Sequence, residues 1–405
     1  MHHAVLYNRF SMLNRNRTLL IISLVALVNM LGYGIVIPIL YGYSKRFGLT
    51  DFQNGLLFSI FSICQFIATP IIGRMSDKYG RRPLLLISIT GTAISFFIMA
   101  FAPNALFLFI ARAIDGITAG NIPVAFAVIS DSSKPEDRTQ AFGMIGSALS
   151  FGFVFGPAIS AFTLGFGQAV PFILAGIITV IAVILTALYL PETNKHMGEV
   201  RKGKLFDFKH LARTLFDQNV GPTFLITLIY YLAFACALIY GFQPFTLQIL
   251  HISEAQNAIL FTLFGVVGVI SQNLFVARFS KKFGIRKAFS ASMLLTTASF
   301  ILMFLSRSLT LFVLGMIILA LFNGAIQTLI PTILSREADA KSQGSIMGLS
   351  ASYQSIGMII GPILGGIVAT ISVPFPFLVG SLLIFSCFLL SFRVLRPGIQ
   401  KESAF

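Results

Sequence analysis

The stretch QNGLLFSIF, residues 53–61, returns further along the chain as QNAILFTLF, residues 256–264. A second stretch, RMSDKYG at 74–80, returns as RFSKKFG at 278–284. The glycines at 143, 152 and 156 and the proline at 157 return at 348, 357, 361 and 362. The copies keep their order, and the spacing between them stays within 203–205 residues. The chain therefore consists of two related halves.

The composition indicates a protein that spans a membrane many times. Of the 405 residues, 56% are hydrophobic and 11% are charged, whereas a soluble domain carries about 25% charged residues. Apolar runs recur along the whole chain, and about 20 residues of helix cross a bilayer core. The runs predict an all-α membrane protein of twelve transmembrane helices in two pseudo-symmetric six-helix bundles, with spans at 18–42, 55–73, 84–102, 106–130, 142–164, 171–190, 220–245, 257–277, 288–305, 310–333, 345–370 and 375–391.

The positions of the basic residues predict how the bundles are oriented. Lys45, Arg46 and Arg307 lie in outer loops and Arg112 lies within a span, while the other Lys and Arg residues fall in the remaining loops and tails. Cytoplasmic loops carry such an excess of basic residues, so both termini are expected in the cytoplasm. We predict an N-terminal bundle at 1–190, a cytosolic linker at 191–219 and a C-terminal bundle at 220–405. Two similar bundles can rock about a central solute site.

Several classes of protein are disfavoured by the same residues. The net charge of +15 is explained by the basic loops and requires no nucleic acid. Cys64, Cys236 and Cys387 are far apart inside apolar runs, a spacing that fits no metal or redox site. No His, Cys and carboxylate cluster with metal spacing is present, and no nucleophile has a matched base. We therefore expect no metal, no cofactor and no enzymatic activity.

The sequence GRMSDKYGRR, residues 73–82, resembles the signature loop between helices two and three of the major facilitator superfamily. The resemblance to this family covers nearly the whole chain. It implies that the loop gates the inner face of the protein. The gating residues implied are Gly73, Asp77, Gly80, Arg81 and Arg82.

Motifs in other spans indicate which members of the superfamily the chain resembles most. Gly152, Gly156 and Pro157 resemble the helix-five motif of antiporters, and Gly357, Gly361 and Pro362 repeat it in span eleven. Small residues at this spacing also allow close helix packing, so a purely structural role remains an alternative. The stretches GYGIVIPIL at 32–40 and RAIDGITAGN at 112–121 resemble drug–proton antiporters with twelve helices, the tetracycline and multidrug efflux proteins.

One acidic residue lies deep in a span, while the other acids lie in loops or near span ends. Asp115 follows Arg112 by three residues, so both side chains point to one face of the helix. Ionisable residues at this depth are costly and usually mark a transport pathway or a proton relay. We expect Asp115 to be the proton-coupling carboxyl and Arg112 its partner. The alternative is a static ion pair that stabilises the span.

Polar residues within other spans are candidates for contact with the transported solute. They are the amides and tyrosines Asn29, Gln65, Asn121, Tyr230, Tyr231, Asn323 and Gln327. Each could line an aromatic, polar-dotted cavity suited to flat apolar solutes. Each could equally form a hydrogen bond to a neighbouring helix.

The leading hypothesis is that the protein exports amphipathic small molecules in exchange for protons by alternating access. A proton-coupled importer of a nutrient or a siderophore-like metal chelate is the closest alternative, and a membrane enzyme or a receptor is a more distant one. The expected partners are a small-molecule substrate, protons and membrane lipids, with no nucleic acid. We expect a monomer in a bacterial inner membrane.

Overall fold

The structure is a computed structural model that describes residues 2–194, 197–198, 207–338 and 342–394, without the side chains of residues 2–16, 135 and 208. The described residues form helices and turns and contain no strand. Seventeen α-helices follow one another: α1 His2–Val36, α2 Leu40–Lys45, α3 Asp51–Tyr79, α4 Arg81–Ala100, α5 Ala105–Thr118, α6 Ile122–Ser132, α7 Arg138–Thr163, α8 Val170–Tyr189, α9 Phe208–Thr214, α10 Gly221–Phe234, α11 Phe242–Gln248, α12 Glu254–Ile270, α13 Val276–Phe283, α14 Ile285–Leu305, α15 Leu309–Glu337, α16 Gln343–Ile371 and α17 Phe375–Ser391.

Over the described ranges, eleven helical segments are long and apolar enough to cross a membrane. Some of these segments join two of the α-helices, as α5 and α6 do in Ala105–Ser132. The shorter apolar helix α17 has 17 residues, the lower limit for a transmembrane helix. These segments confirm the predicted fold of twelve membrane helices.

Two spans that the sequence predicts as continuous helices are interrupted. The first breaks between α1 and α2 at Ile37-Pro38-Ile39, and the fourth breaks between α5 and α6 at residues 119–121. Proline has no N–H group to donate to the carbonyl four residues earlier. Pro123, in the first turn of α6, therefore removes the helical hydrogen bond to Ala119 and ends α5. Proline thus explains where both of these helices stop.

Two other spans contain a turn of π-helix. The first π-helical segment, Ala235–Tyr240, follows α10, and the second, Ser271–Phe275, follows α12. A π-turn inserts extra backbone into a helix and rotates the residues that follow it. In the first half, α3 corresponds to α12, and it runs from Asp51 to Tyr79 without a π-helical segment. The two halves therefore share their order of helices but differ in local winding.

The helices form two compact units. The first takes in residues of Met1–Leu40 and Ile63–Leu205, and the second takes in residues of Tyr41–Ser62 and Phe206–Phe405. The first part of α3, up to Ser62, thus belongs to the second unit, although it lies in the first half of the sequence. The predicted linker, 191–219, falls partly on residues 195–196 and 199–206, outside the described residues. The predicted domain boundaries therefore stay a prediction.

In the first unit, α1 and α7 pack with their backbones in contact. A Cβ atom added to Gly152 would lie 2.6 Å from the carbonyl oxygen of Leu27. One added to Gly156 would lie 2.7 Å from the carbonyl oxygen of Leu31. Pro157 follows directly inside the same helix. These glycines are required because any side chain would collide with the backbone of α1, which cannot move aside.

The second unit repeats this packing between α10 and α16. A Cβ atom on Gly357 would lie 2.7 Å from the Leu232 nitrogen, and one on Gly361 would lie 2.6 Å from the Leu232 oxygen. Pro362 occupies the position of the proline in α7. The glycine motifs of spans five and eleven therefore bring two helices together in each unit. Whether they also act in transport stays a prediction.

We expect Gly156→Ala to destabilise the protein by about 1–3 kcal/mol, because the new methyl group overpacks a backbone contact. Gly143→Ala is the matched control, since it lies in the same helix and a Cβ there meets no atom within 4 Å. Alanine favours helix over glycine by about 0.5–1 kcal/mol, so the control should be neutral or stabilising. Thermal unfolding in detergent, followed by circular dichroism, measures both. Equal unfolding temperatures for the two variants would contradict the packing argument.

Candidate functional site

A buried ion pair lies on α5 in the first unit. The Arg112 Nη1 atom is 3.0 Å from Asp115 Oδ2, and the two side chains are 1% and 10% exposed. The spacing of three residues brings them together on one face of the helix, as the sequence predicts. Charges at this depth are costly unless each is paired. The pair therefore neutralises two charges that the span could not otherwise hold.

Two threonines lie near Asp115 of this pair. The side chain of Thr92, on α4, lies close to Asp115. Thr92 Oγ1 also lies 3.2 Å from Thr118 Oγ1, and Thr118 donates to the Ile114 carbonyl at 2.9 Å. A hydroxyl both donates and accepts, so Thr92 can serve the carboxyl group whether it is ionised or protonated. The surroundings of Asp115 are therefore compatible with both states.

Two asparagines pair where the fourth span is broken. Asn29 Nδ2, on α1, donates to Asn121 Oδ1 at 2.7 Å, and Asn121 Nδ2 donates back to Asn29 Oδ1 at 3.4 Å. Gln65 Nε2, on α3, donates to the Ala119 carbonyl at 3.4 Å. That carbonyl lacks its α-helical donor, because the residue four positions later is Pro123. The structure thus brings together three predicted cavity residues of the first unit, which stabilise the break.

The other four predicted cavity residues form a second cluster in the second unit. The Tyr230 hydroxyl donates to Asn323 Oδ1, and Gln327 lies close to Tyr230. The rings of Tyr230 and Tyr231 meet edge to face with centroids 5.1 Å apart. Tyr230 is 1% exposed, whereas Tyr231 and Gln327 are only partly buried. Tyr231 and Gln327 are therefore the more exposed of these three residues, and contact with a solute stays a prediction.

The signature loop forms a charge network between α3 and α4. Arg81 lies between two acids, with Nη1 2.6 Å from Asp77 Oδ1 and Nε 3.2 Å from Asp131 Oδ2. Arg82 Nη2 donates to the Ala187 carbonyl at the end of α8 at 2.6 Å. Gly80 joins the two helices with φ +104°, which strongly favours glycine. The predicted gating residues Asp77, Gly80, Arg81 and Arg82 therefore form one connected junction.

Gly73 differs from the other predicted gating residues. A Cβ atom there would meet no atom within 4 Å, so no close contact requires glycine at this position. The Gly73 carbonyl accepts a hydrogen bond from Ser76 Oγ at 2.7 Å, and Ser76 Oγ accepts one from Arg81 Nη1 at 2.6 Å. Gly73 therefore takes part in the junction through its backbone.

Glu192 completes this junction, although the sequence alone assigns it only to a loop. Its carboxylate accepts the backbone N–H groups of Arg81, at 2.9 Å, and Arg82, at 3.1 Å. It also accepts those of Thr193, at 2.9 Å, and Asn194, at 2.8 Å. A carboxylate at the N-terminus of a helix satisfies free N–H groups and the helix dipole together. Glu192 therefore caps α4 in place of Gly80, which has no side chain to do so.

The described residues contain no group of three or more His, Cys, Asp and Glu side chains arranged to hold a metal ion. The ion pair that lies deep within a described span is that of Arg112 and Asp115.

Comparison with known proteins places the chain in a family. A family model described as the Major Facilitator Superfamily matches residues 22–242 and 223–404. The chain belongs to the Major Facilitator Superfamily. It is therefore a multi-pass membrane transporter, and the enzyme alternative is set aside.

Several similar proteins are named as resistance proteins. Multidrug resistance protein 1 of Bacillus subtilis is 29% identical over 375 residues, which cover 90% of this chain and 92% of that protein. Tetracycline resistance protein, class H, of Pasteurella multocida is 28% identical, covering 89% and 91%. A solved bacterial homologue of the human lysosomal transporter Spinster shares the fold, with a TM-score of 0.77, 17% identity and coverage of 95% and 99%. The predicted resemblance to tetracycline and multidrug efflux proteins is confirmed.

We expect Glu192→Gln to loosen the signature junction of this transporter. The amide would turn an N–H group toward backbone donors, and unmaking hydrogen bonds of this kind costs roughly 1–3 kcal/mol. Glu136→Gln is the matched control, because Glu136 is an exposed acid in the turn after α6. Limited proteolysis at the α3–α4 junction measures the change, with faster cleavage expected for Glu192→Gln alone. Cleavage at the wild-type rate would show that Glu192 does not hold the loop.

Proposed function

We propose that this transporter exports amphipathic small molecules in exchange for protons, by alternating access. Its relatives named as multidrug and tetracycline resistance proteins support the substrate class and the direction. The basic loops support an orientation with both termini in the cytoplasm. We further propose that it acts as a monomer in a bacterial inner membrane.

The buried pair of Arg112 and Asp115 is the observation that best supports the proposal of proton coupling. A guanidinium stays charged at any physiological pH, so only the carboxyl of the pair can take up and release a proton. Asp77 and Asp131 pair with Arg81 but are 30% and 29% exposed, three times as much as Asp115. A proton carrier must be shielded from water for part of the cycle, and Asp115 meets that condition best among these acids.

We propose that Thr92, which lies close to Asp115, has a positioning role. A hydrogen bond between this hydroxyl and the carboxyl of Asp115 would keep the carboxyl oriented whether the proton is present or absent. When Asp115 is ionised, the hydroxyl donates to it; when Asp115 is protonated, the hydroxyl can accept. Arg112 then stabilises the deprotonated, negatively charged carboxylate of Asp115 within the span.

We expect Asp115→Asn to abolish drug-dependent proton movement. The purified protein is reconstituted in proteoliposomes with a trapped pH-sensitive dye, and a panel of amphipathic drugs is added. Wild-type protein should move protons in response to at least one drug. Glu136→Gln, an exposed acid outside the spans, is the control and should behave as wild type.

The single substitution leaves Arg112 as an uncompensated buried charge, which can cost 3–5 kcal/mol. The double variant Arg112→Gln with Asp115→Asn removes both charges and should restore stability. If the pair only stabilises the span, this double variant should still move protons with drug. We expect no proton movement, and normal coupled transport by the double variant would rule out Asp115 as the proton carrier. Flux driven by nutrients or metal chelates instead of drugs would favour the importer.

A further inference from the structure

The inner junctions of the two halves share one geometry. Gly80 and Gly284 join their helices with φ of +104° and +78°. Arg82 Nη2 donates to the Ala187 carbonyl and Arg286 Nη2 donates to the Phe392 carbonyl, both at 2.6 Å. The repeat is therefore preserved in three dimensions within each unit.

In the second half, basic residues stand in place of the two acids of this junction, and the central arginine is lost. The two copies are 204 residues apart, so Lys281 stands at the position that Asp77 has in the first half. Ile285 replaces Arg81 at the same spacing. At the end of α15, Arg336 corresponds to Asp131 at the end of α6. Every member of the Arg81 charge network is thus changed, so the second unit has no ion pair at this junction among its described residues.

What replaces the network is an exposed basic surface, which we call the basic patch. It consists of Arg278, Lys281, Lys282, Lys287, Arg336 and Arg393. None of these side chains forms an ion pair within the described part of the chain. Glu337, next to Arg336, accepts a hydrogen bond from Thr223 Oγ1 at 2.7 Å. The patch is therefore a set of like charges that repel one another without an anion.

The helix that carries half of this patch has an aromatic side as well. Phe275, Phe279 and Phe283 follow one another at four-residue spacing, with ring centroids 4.9 and 5.2 Å apart. Phe283 is 48% exposed at the end of α13, beside the exposed Lys282. Basic residues beside exposed aromatic rings at the end of a membrane span lie at the level of the lipid headgroups.

We propose that the basic patch binds the headgroups of anionic phospholipids, which supply the negative charge that the first unit obtains from Asp77 and Asp131. A phosphodiester offers acceptor oxygens to Lys and Arg, while its acyl chains contact the exposed rings of α13. The lipid then bridges α13, α15 and the end of α17 from outside. This inference depends on the protein being embedded in a membrane and is independent of its substrate and of proton coupling.

The test is native mass spectrometry of the purified full chain in neutral detergent, titrated with phosphatidylglycerol or with phosphatidylcholine of the same acyl chains. Wild-type protein should retain phosphatidylglycerol in preference to phosphatidylcholine. Lys281→Gln with Lys282→Gln should reduce that preference about tenfold or more, since each basic residue near the surface contributes to anionic lipid binding. Lys78→Gln with Lys134→Gln is the control and should leave it unchanged. Lys78 and Lys282 are matched, since each lies over the following ring, at 4.9 and 5.5 Å.

A second variant distinguishes loss of lipid binding from loss of folding. Lys281→Asp with Ile285→Arg rebuilds the ion pair of the first unit, so it should unfold no more easily than wild type while still losing phosphatidylglycerol. Equal affinity of wild-type protein for the two lipids would overturn the proposal, as would equal loss in the control. Displacement of the lipid by millimolar inorganic phosphate would indicate a site for free anions and would also overturn it.

Discussion

The structure depends on one constraint, that a polar group within the hydrocarbon must find its partner inside the protein. Hydroxyl side chains meet it locally, since Thr69, Thr179 and Thr227 each donate to the carbonyl four residues earlier. Larger polar groups need a side chain as their partner, either on another helix or one turn away on their own helix. Asn29 and Asn121 pair across helices, and Arg112 is matched by Asp115. The same constraint that makes the chain helical thus selects the few places where side chains must meet.

The broken fourth span shows how this constraint connects sequence to site. Pro123 deprives the Ala119 carbonyl of its helical partner, and Gln65 supplies one from α3. Gly120 permits the approach, because a Cβ there would lie 3.0 Å from Thr69 Cα. The break is therefore stabilised by three helices, and it lies in the same span as the buried ion pair. A helix interrupted in this way can change its winding more easily than a continuous one, at the position where coupling is proposed.

Much of this fold could be predicted from the sequence, because its main signals are periodic or local. Continuous apolar runs predict the spans, the repeat predicts two halves, and the spacing of Arg112 and Asp115 predicts their contact. The role of Glu192 could not be predicted, because it caps a helix more than a hundred residues earlier in the chain. The pairing of Asn29 with Asn121 was open for the same reason. Which amides meet across helices depends on helix rotation, which an apolar run does not specify.

The two units divide the chemistry between them. Among the described residues, the charged pair deep within a span belongs to the first unit, with Thr92 beside it. The cluster around Tyr230 in the second unit consists of phenols and amides, which carry no charge at neutral pH. A proton carrier must change its charge during the cycle, whereas a surface for varied amphipathic solutes must avoid a fixed charge that favours one of them. In the function we propose, keeping these two requirements in separate bundles allows the carboxyl to titrate without altering the groups that contact the solute.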